Sequence, residues 1–426
     1  MPLSFRSGKP GKSGARSIGG ATPVDEPIGK RHRAGGTFEE RERQGRMGRT
    51  YDNTYAAICD RGNIRAALDA AAKGKRHKRA VKLALAHEDE TVERIRDTLV
   101  NHKPFLPEVR QGHEINDGIR LKKRIIVHPS FTEQIIDHAM MQVLEPHFER
   151  KMYRWSCGSI PGRGQEDMSK YICRMVAAHP EKCKYFAVMD VKSCFPSTWT
   201  DAVYAEIAKI ERDPKTLQLV RYKLDANRIR LESGAVIEGG IPIGLYTSPW
   251  FVNLALTPFD HTVKDDCGIY LMVRFMDDIM MAHGNKREFK RAIEAGTVAI
   301  ARFGLSWKKR PVVTLWLAGD MGKIRFCGAH FMKDGSMELH DKIFIRARRT
   351  VNRIDRKRRT GRRVTWYDAS KVVSYSGRFA AFGSWNAFGP CVLQDKVRLF
   401  DMRQKISAHD RLLNNSQKRK ETLTHV

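Results

Sequence analysis

The stretch LMVRFMDDIMMA, Leu271 to Ala282, decides how the rest of the chain is read. Apolar residues run up to Phe275 and Met276, two carboxylates follow at Asp277 and Asp278, and an apolar run resumes at Ile279 to Met281. Apolar strands bounded by turn-forming Asp predict a hairpin with an acidic turn. Two adjacent carboxylates between apolar strands repel each other, and a divalent cation would relieve the repulsion. A solvated hairpin turn has the same local pattern, so the surrounding segments must decide between the two.

A chain of 426 residues is long enough for two or three subdomains around sizeable cores. Lys and Arg number 77 against 48 Asp and Glu, a formal net charge of +29 and a pI near 10.0. A basic balance spread from end to end points to a polyanion, with nucleic acid the first candidate and a membrane surface the second. No apolar run reaches spanning length and no apolar core follows the basic N-terminus as in a signal peptide, so we expect a cytoplasmic protein with no membrane partner. The eight cysteines lack any paired short spacing, which argues for reduced thiols and against a zinc site or a disulfide framework.

Residues 1–50 are rich in Gly, Arg, Lys and Ser and read as a disordered basic arm, which either touches nucleic acid through charge or only solubilises the chain. From Tyr55, apolar residues at helical spacing predict two or three amphipathic helices before Pro104, interrupted at Gly74. The cluster Lys73 to Arg79 in their connection reads equally as a solvated loop or a phosphate contact. Gly118 to Val127 is basic and β-prone, Pro129 stops it, and a helix is expected from Thr132 to Leu144. Lys122, Lys123 and Arg124 on that strand could hold a triphosphate or simply lie exposed.

In SCGSIPGRGQEDM, Ser156 to Met168, small residues form a tight loop with Arg163 at its tip, leading into a helix that reaches Ala178. Such a loop lets a template or primer strand come close, or is an ordinary helix entry. In YFAVMDVKSCFPS, a buried strand from Tyr185 to Met189 ends in Asp190, with Phe195 and Pro196 just beyond. An acid there is costly to bury without a cation or a partner, and we expect it to pair with Asp277. In EGGIPIGLYTSPWFVNLALTPFDHTV, Gly239, Gly240, Pro242 and Gly244 form a loop able to bed a nucleotide. A helix over Ser248 to Leu256 follows, capped by Thr247 or Ser248 with Pro249 just inside. After the acidic hairpin come an amphipathic helix over Arg287 to Phe303, the cluster Trp307 to Arg310 with Lys308 and Lys309, and the strand-like FCGAHFM. From Ile343 the chain is densely basic, then aromatic and helical around Tyr375, Phe379, Phe382 and Trp385, which suits a surface tracking a duplex or an exposed helical tail.

In order and spacing, the Asp190 strand, the glycine-rich loop and helix, the Asp277 and Asp278 hairpin and the basic strand resemble the palm of a reverse transcriptase. The resemblance covers roughly Leu68 to Phe388 and rests on MDVKSCFPS, GGIPIGLYTSPWFVNLAL and RFMDDIMM. It implies an α+β right-hand polymerase fold with fingers and palm, an antiparallel sheet plus helices, and a basic, mainly helical thumb-like C-terminal region. The corresponding divisions are N-terminal helices over 51–103, fingers with part of the palm over 104–184, palm over 185–340 and the thumb-like region over 341–426. The activity implied is RNA-directed DNA polymerisation, with RNA template, DNA primer or product and dNTPs as partners. Asp190, Val191 and Asp277, with Asp278 in support, would hold two Mg2+ ions, with Mn2+ as the alternative. A pair of metals about 4 Å apart activates a primer 3′-hydroxyl and neutralises leaving pyrophosphate. Lys122, Arg124, Val191, Phe195 and Ile243 correspond to the dNTP site, and Arg163, Gly244, Lys308 and Lys309 to template and primer contacts. Phe195 stands where the family places an aromatic that would clash with a ribose 2′-hydroxyl, which implies deoxynucleotides.

Within the family, KKRIIVHPSF, SCGSIPGRG, IPIG and VVSYSGRFAAFGSWNAF resemble most closely the bacterial and phage enzymes of diversity-generating retroelements. That type implies a small basic accessory protein, and Ile243, where many relatives carry Gln, implies error-prone copying. Pro249 after the motif Ser resembles group II intron and retron enzymes instead. An antiphage defence reverse transcriptase is the competing role. An inactive nucleic-acid-binding palm is a third reading, against which the intact Asp190, Asp277 and Asp278 argue. No ribonuclease H, integrase or endonuclease segment is read after the polymerase part.

Overall fold

The computed structural model describes residues 51–117, 122–319, 322–381 and 401–408, with the backbone alone described at Asn116, Asp117, Lys122 and Ala381. The arm read over residues 1–50, together with Phe382 and Trp385, lies outside the described residues.

Among the described residues, four helices precede Pro104 where two or three were expected: α1 (Thr54–Ile58), α2 (Arg61–Ala72), α3 (Arg79–Ala86) and α4 (Glu88–Val100). The additional element is the short α1, tied in by the Tyr55 N–H donating to Asp213 at 2.8 Å. Asp60 caps α2 by accepting from the Asn63 N–H at 3.0 Å, and Ile64, Ala67, Leu68 and Ala71 form its buried stripe. The chain continues through β1 (Arg110–Asp117), β2 (Lys122–Val127), α5 (Phe131–Lys151), β3 (Ser156–Cys157), α6 (Gln165–Ala178), β4 (Tyr185–Asp190) and the single turn α7 (Cys194–Ser197). Next come α8 (Thr200–Ala208), α9 (Pro214–Asp225), β5 (Ile229–Arg230), β6 (Val236–Ile237), α10 (Ser248–His261), β7 (Leu271–Phe275), β8 (Asp278–His283) and α11 (Lys286–Ala301). After these come β9 (Thr314–Leu315), β10 (Ile324–Phe326), β11 (Ala329–Phe331), β12 (Met337–Leu339), α12 (Asp341–Arg359) and α13 (Trp366–Ala381), and residues 401–408 are also helical.

Among the described residues the strands form three sheets, ordered β2-β1-β5-β6, β3-β7-β8-β4-β9 and β10-β11-β12. The five-stranded sheet explains the unbroken apolar runs around Asp277. Leu271, Val273, Met280 and Ala282 face one core with Cys157, Ile172, Phe326, Phe331 and Phe379. Met272, Ile279 and Met281 face the other, with Trp250, Phe259, Phe289 and Ile300. Side chains alternate across a strand, so a sheet covered on both faces needs apolar residues at every position. Each large apolar side chain buried this way contributes about 1.5–3 kcal/mol. No helix among the described residues is long and apolar enough to cross a membrane, and the seven cysteines among them are free.

Two helices differ from expectation. α5 runs past Leu144 to Lys151 with Pro146 inside it. Leu144 and Phe148 are fully buried on either side, and that packing outweighs a local cost of about 3 kcal/mol for an interior proline. At the start of α10, Thr247 occupies the cap position without a side-chain cap bond. The Ser248 hydroxyl instead donates to the Pro242 carbonyl at 2.5 Å, closing the glycine-rich loop onto the helix.

Candidate active site

The β7–β8 turn consists of Met276, at φ +55, and Asp277, and Asp278 already belongs to β8. The antiparallel β4–β8 ladder puts Asp190 opposite Asp278, with Asp277, its expected partner, the preceding residue of the turn. Asp277 is joined to the neighbouring chain through its carbonyl, which accepts from the Val191 N–H at 3.1 Å. All three acids therefore sit at one end of the sheet, each half-buried.

Charge is concentrated there. Burial, with Asp277 and Asp190 adding like charge, pushes the Asp278 carboxyl up to about 6 against the opposing pull of Lys308. Lys308 enters from the segment after α11: its N–H donates to the Asp190 carbonyl at 2.9 Å and its ammonium bonds the Asp190 carboxylate. That hydrogen bond holds the Lys308 pKa above the usual lysine value. Expected as a template or primer contact, Lys308 is here the cation of the acidic cluster, while Lys309 beside it is exposed. No three His, Cys, Asp or Glu side chains among the described residues are arranged to hold a metal as they stand. The donor chemistry nonetheless fits a hard divalent cation: oxygen ligands only, with mutual repulsion that a lysine ammonium now offsets.

A second group lies beside this one. Phe195, Ile243 and Gly244 line one open cleft of about 470 Å³, together with Lys75, Lys78 and His138. Gly244, at φ +114, has no room for a side chain, since an added Cβ would lie 2.2 Å from the Val127 carbonyl oxygen. The Val127 N–H donates to the Ile243 carbonyl at 2.8 Å, so β2, which also carries Arg124, seats the glycine-rich loop. The side chain of Lys122 lies outside the described residues. Arg163 does not stand free at its loop: it is 11 % exposed and its guanidinium donates to the Tyr153 and Glu149 carbonyls, at 3.2 and 3.4 Å, anchoring the loop to the end of α5.

Sequence reasoning gave Lys75 and Lys78 no place in the cleft, because local composition supplies their charge and not their neighbours. The Lys75 ammonium donates to Gln134 at 2.5 Å, and burial, then Lys78, lowers its pKa. Burial, with Lys75 adding like charge, depresses His138 to about 4. Arg274 is a further residue outside the candidates above, although an arginine inside the apolar run LMVRF is itself a signal that a buried acid must lie nearby.

The family model described as reverse transcriptase (RNA-dependent DNA polymerase) matches residues 107–331, more than half of the chain. The chain belongs to the reverse transcriptase family. Asp190, Asp277 and Asp278 lie within the matched residues, and α1 to α4 precede them. The fold is thus a right-hand polymerase fold, with the three acids on its five-stranded sheet. Similar solved structures include an apo telomerase from Candida tropicalis truncated from its C-terminal domain, at 14% identity and TM-score 0.43, covering 55% of each chain. Another is the Candida albicans telomerase in complex with a TWJ fragment of telomeric RNA, at 11% identity and TM-score 0.44, covering 71% of this chain and 59% of that one. A further apo telomerase from Candida tropicalis has 14% identity and TM-score 0.42, covering 56% of this chain and 49% of that one. The chain spans about half to three-fifths of the length of these proteins. No curated protein sequence matches it.

Proposed function

We propose that this reverse transcriptase extends a primer 3′-hydroxyl with dNTPs on an RNA template and serves a bacterial or phage retroelement of the diversity-generating type. The observation that carries the polymerase reading is the convergence of Asp190, Asp277 and Asp278 at one end of the five-stranded sheet, with Phe195, five residues after Asp190, lining a cleft with Ile243 and Gly244. Asp190, Asp277, Asp278 and the Val191 carbonyl would be the oxygen donors for Mg2+ or Mn2+. Two such ions, when bound, would raise the acidity of the primer hydroxyl and neutralise charge on the leaving pyrophosphate. The Lys308 ammonium bonds the Asp190 carboxylate in the same cluster. The retroelement reading is supported by KKRIIVHPSF, SCGSIPGRG and IPIG, and sequencing the RNA and DNA that copurify with the protein tests it. A template carrying a variable repeat is the expected result, and DNA made without a template would overturn it.

Sugar selection is assigned to Phe195, half-buried against the core and facing the cleft. Phe195→Ala should open space beside the 2′ position and raise the ratio of rNTP to dNTP incorporation at least ~10-fold, ~1.4 kcal/mol of discrimination. Primer extension with each nucleotide set in parent and variant reads this directly, and an unchanged ratio removes Phe195 from the role.

The duplex-tracking surface is assigned to α12. Ile343, Ala347, Val351 and Ile354 form its buried stripe, leaving Arg348, Arg349, Arg353, Arg356, Arg358 and Arg359 exposed. Neutralising phosphates releases condensed counterions, so affinity for a primer–template should fall with salt at a log–log slope between about −2 and −5. A titration across a salt series that returned a flat line would contradict the assignment.

A further inference from the structure

The turn that carries Asp277 is held by a buried polar network that extension chemistry does not itself require. Arg274, Asp260, Asn253 and Ser156 are all 0 % exposed. Arg274 donates through Nε to Asp260 Oδ1 at 2.9 Å and through Nη2 to Asp260 Oδ2 at 2.6 Å. The Ser156 hydroxyl donates to the same Oδ2 at 2.5 Å. The remaining guanidinium nitrogen, Nη1, donates to Asn253 Oδ1 at 2.7 Å and to the Met276 carbonyl at 3.3 Å. Asn253 Nδ2 in turn donates to the Gly158 carbonyl at 3.2 Å.

These bonds close around two consecutive peptides. The Met276 N–H donates to the Cys157 carbonyl at 3.2 Å, the Met276 carbonyl accepts from Arg274, and the Asp277 carbonyl accepts from the Val191 N–H. Met276 is thereby kept at φ +55, a conformation that a side chain of its size rarely adopts unless it is held. Gly158, at φ +92, forms the shelf beneath it, where an added Cβ would lie 3.0 Å from Met276 Cγ. Stability alone does not account for the network, because well-packed apolar residues in place of a buried ion pair are often as stable or more so.

We infer that Arg274, oriented by Asp260 and Asn253, is a positioning residue for the Asp277 carboxylate, which it fixes through the Met276–Asp277 peptide. The inference rests on the reading of Asp277 as a metal-binding acid. A rigid planar fork is needed to reach Asp260, Asn253 and the Met276 carbonyl together, and lysine, a point charge on a flexible stem, cannot supply it.

The test uses the full chain as parent, Arg274→Lys, Asn253→Ala and Asp277→Ala. It measures kcat and KM for dNTP on an RNA template, the Kd for primer–template, the melting temperature, and Mn2+ binding by electron paramagnetic resonance without dNTP. Groups that orient metal ligands typically alter metal affinity or activity by about 10–100-fold when changed. Arg274→Lys should therefore lower kcat by about 10–100-fold and weaken Mn2+ binding about 10-fold, with KM and Kd within about twofold of parent. Asn253→Ala, which keeps the Arg274–Asp260 pair, should lower kcat by a smaller factor. A purely structural role would lower the melting temperature and leave kcat and Mn2+ affinity per folded molecule at parental values, and that result overturns the inference. Should Arg274→Lys not fold, Asn253→Ala decides alone, with parental kcat and Mn2+ affinity again overturning it. Asp277→Ala separates the two failures. If it still binds Mn2+ and extends primers, the reading of the site fails; if it loses both while the other variants match parent, only the positioning inference fails.

Discussion

Replacing Asp190 or Asp277 with alanine is expected to reduce primer extension to background, a loss of at least ~10³-fold or ~4 kcal/mol of transition-state stabilisation, while RNA affinity stays within about twofold. The two effects separate because the acids and the binding surface proposed on α12 are different parts of the molecule. Asp190 and Asp277 repel phosphate, and the exposed arginines of α12 attract it. On the proposed reading, removing an acid would subtract a ligand of the reaction's cations and leave the counterion release that drives binding unchanged. Asp190→Ala has a further consequence, because the Lys308 ammonium now bonded to that carboxylate would lose its partner. The net result should be slightly tighter RNA binding in that variant. Extension of a labelled primer on an RNA template with dNTPs and Mg2+, alongside anisotropy measured at fixed salt, checks both quantities. Persistent extension by either variant would remove the acids from the chemistry, and collapse of RNA affinity would mean that they shape the binding surface instead.

Much of the site was legible because its signals are local. The run LMVRFMDDIMMA reads as a hairpin since both faces of its sheet are buried and acids interrupt the apolar alternation at one place. YFAVMD reads as a strand because five apolar residues run up to one acid, although Val188 on it is exposed. What the sequence did not contain was register: a shift of one residue decides whether Asp190 lies opposite Asp277 or Asp278, and only the β4–β8 ladder specifies it. Arg163 looked exposed because a glycine-rich loop is usually a surface feature, yet the end of α5 passes close enough for its carbonyls to capture the guanidinium. Lys308 looked like one more member of a basic cluster until the Val191 and Trp307 backbones, bridged side by side, brought it to Asp190. Lys75 and Lys78 reach the cleft from a loop outside the family-matched residues, and nothing in their own segment announces that neighbour. Where chemistry depends on residues far apart in the chain, composition names the parts without assembling them.

The largest stability effect is expected at a site with no such local signal. Arg110 opens β1, Glu133 and Asp137 lie on α5, Lys223 lies on α9, and all four are buried. Arg110 donates to both Glu133 oxygens, at 3.0 and 2.7 Å, and to the Ala226 carbonyl at 2.7 Å. The Lys223 ammonium lies 2.5 Å from Glu133 and 2.6 Å from Asp137. Two cations and two anions balance, but neither Asp137 oxygen receives a well-aligned hydrogen bond, and burial pushes its carboxyl up to about 6. Lys223→Met would leave Asp137 as an uncompensated buried charge and should cost about 3–5 kcal/mol. The dependence on pH has a definite sign. The folded pKa of Asp137 lies above its unfolded value of about 3.9, so its contribution favours the folded state at low pH and is lost as pH rises through about 6. Lys223 opposes that loss in the parent, so the stability gap between parent and variant should widen from pH 5 to pH 8. Adding Asp137→Leu removes the stranded charge and should recover most of the loss, since Glu133 keeps the Arg110 fork. Urea unfolding followed by tryptophan fluorescence at several pH values measures all three proteins. A gap that stayed flat from pH 5 to pH 8 would show that Asp137 is not the group left exposed to the charge imbalance. The same network clamps β1 to α5 and α9, and β1 pairs with β2, whose Val127 seats the Ile243 and Gly244 loop. Loosening it should therefore also raise the KM for dNTP at temperatures where the variant is still folded.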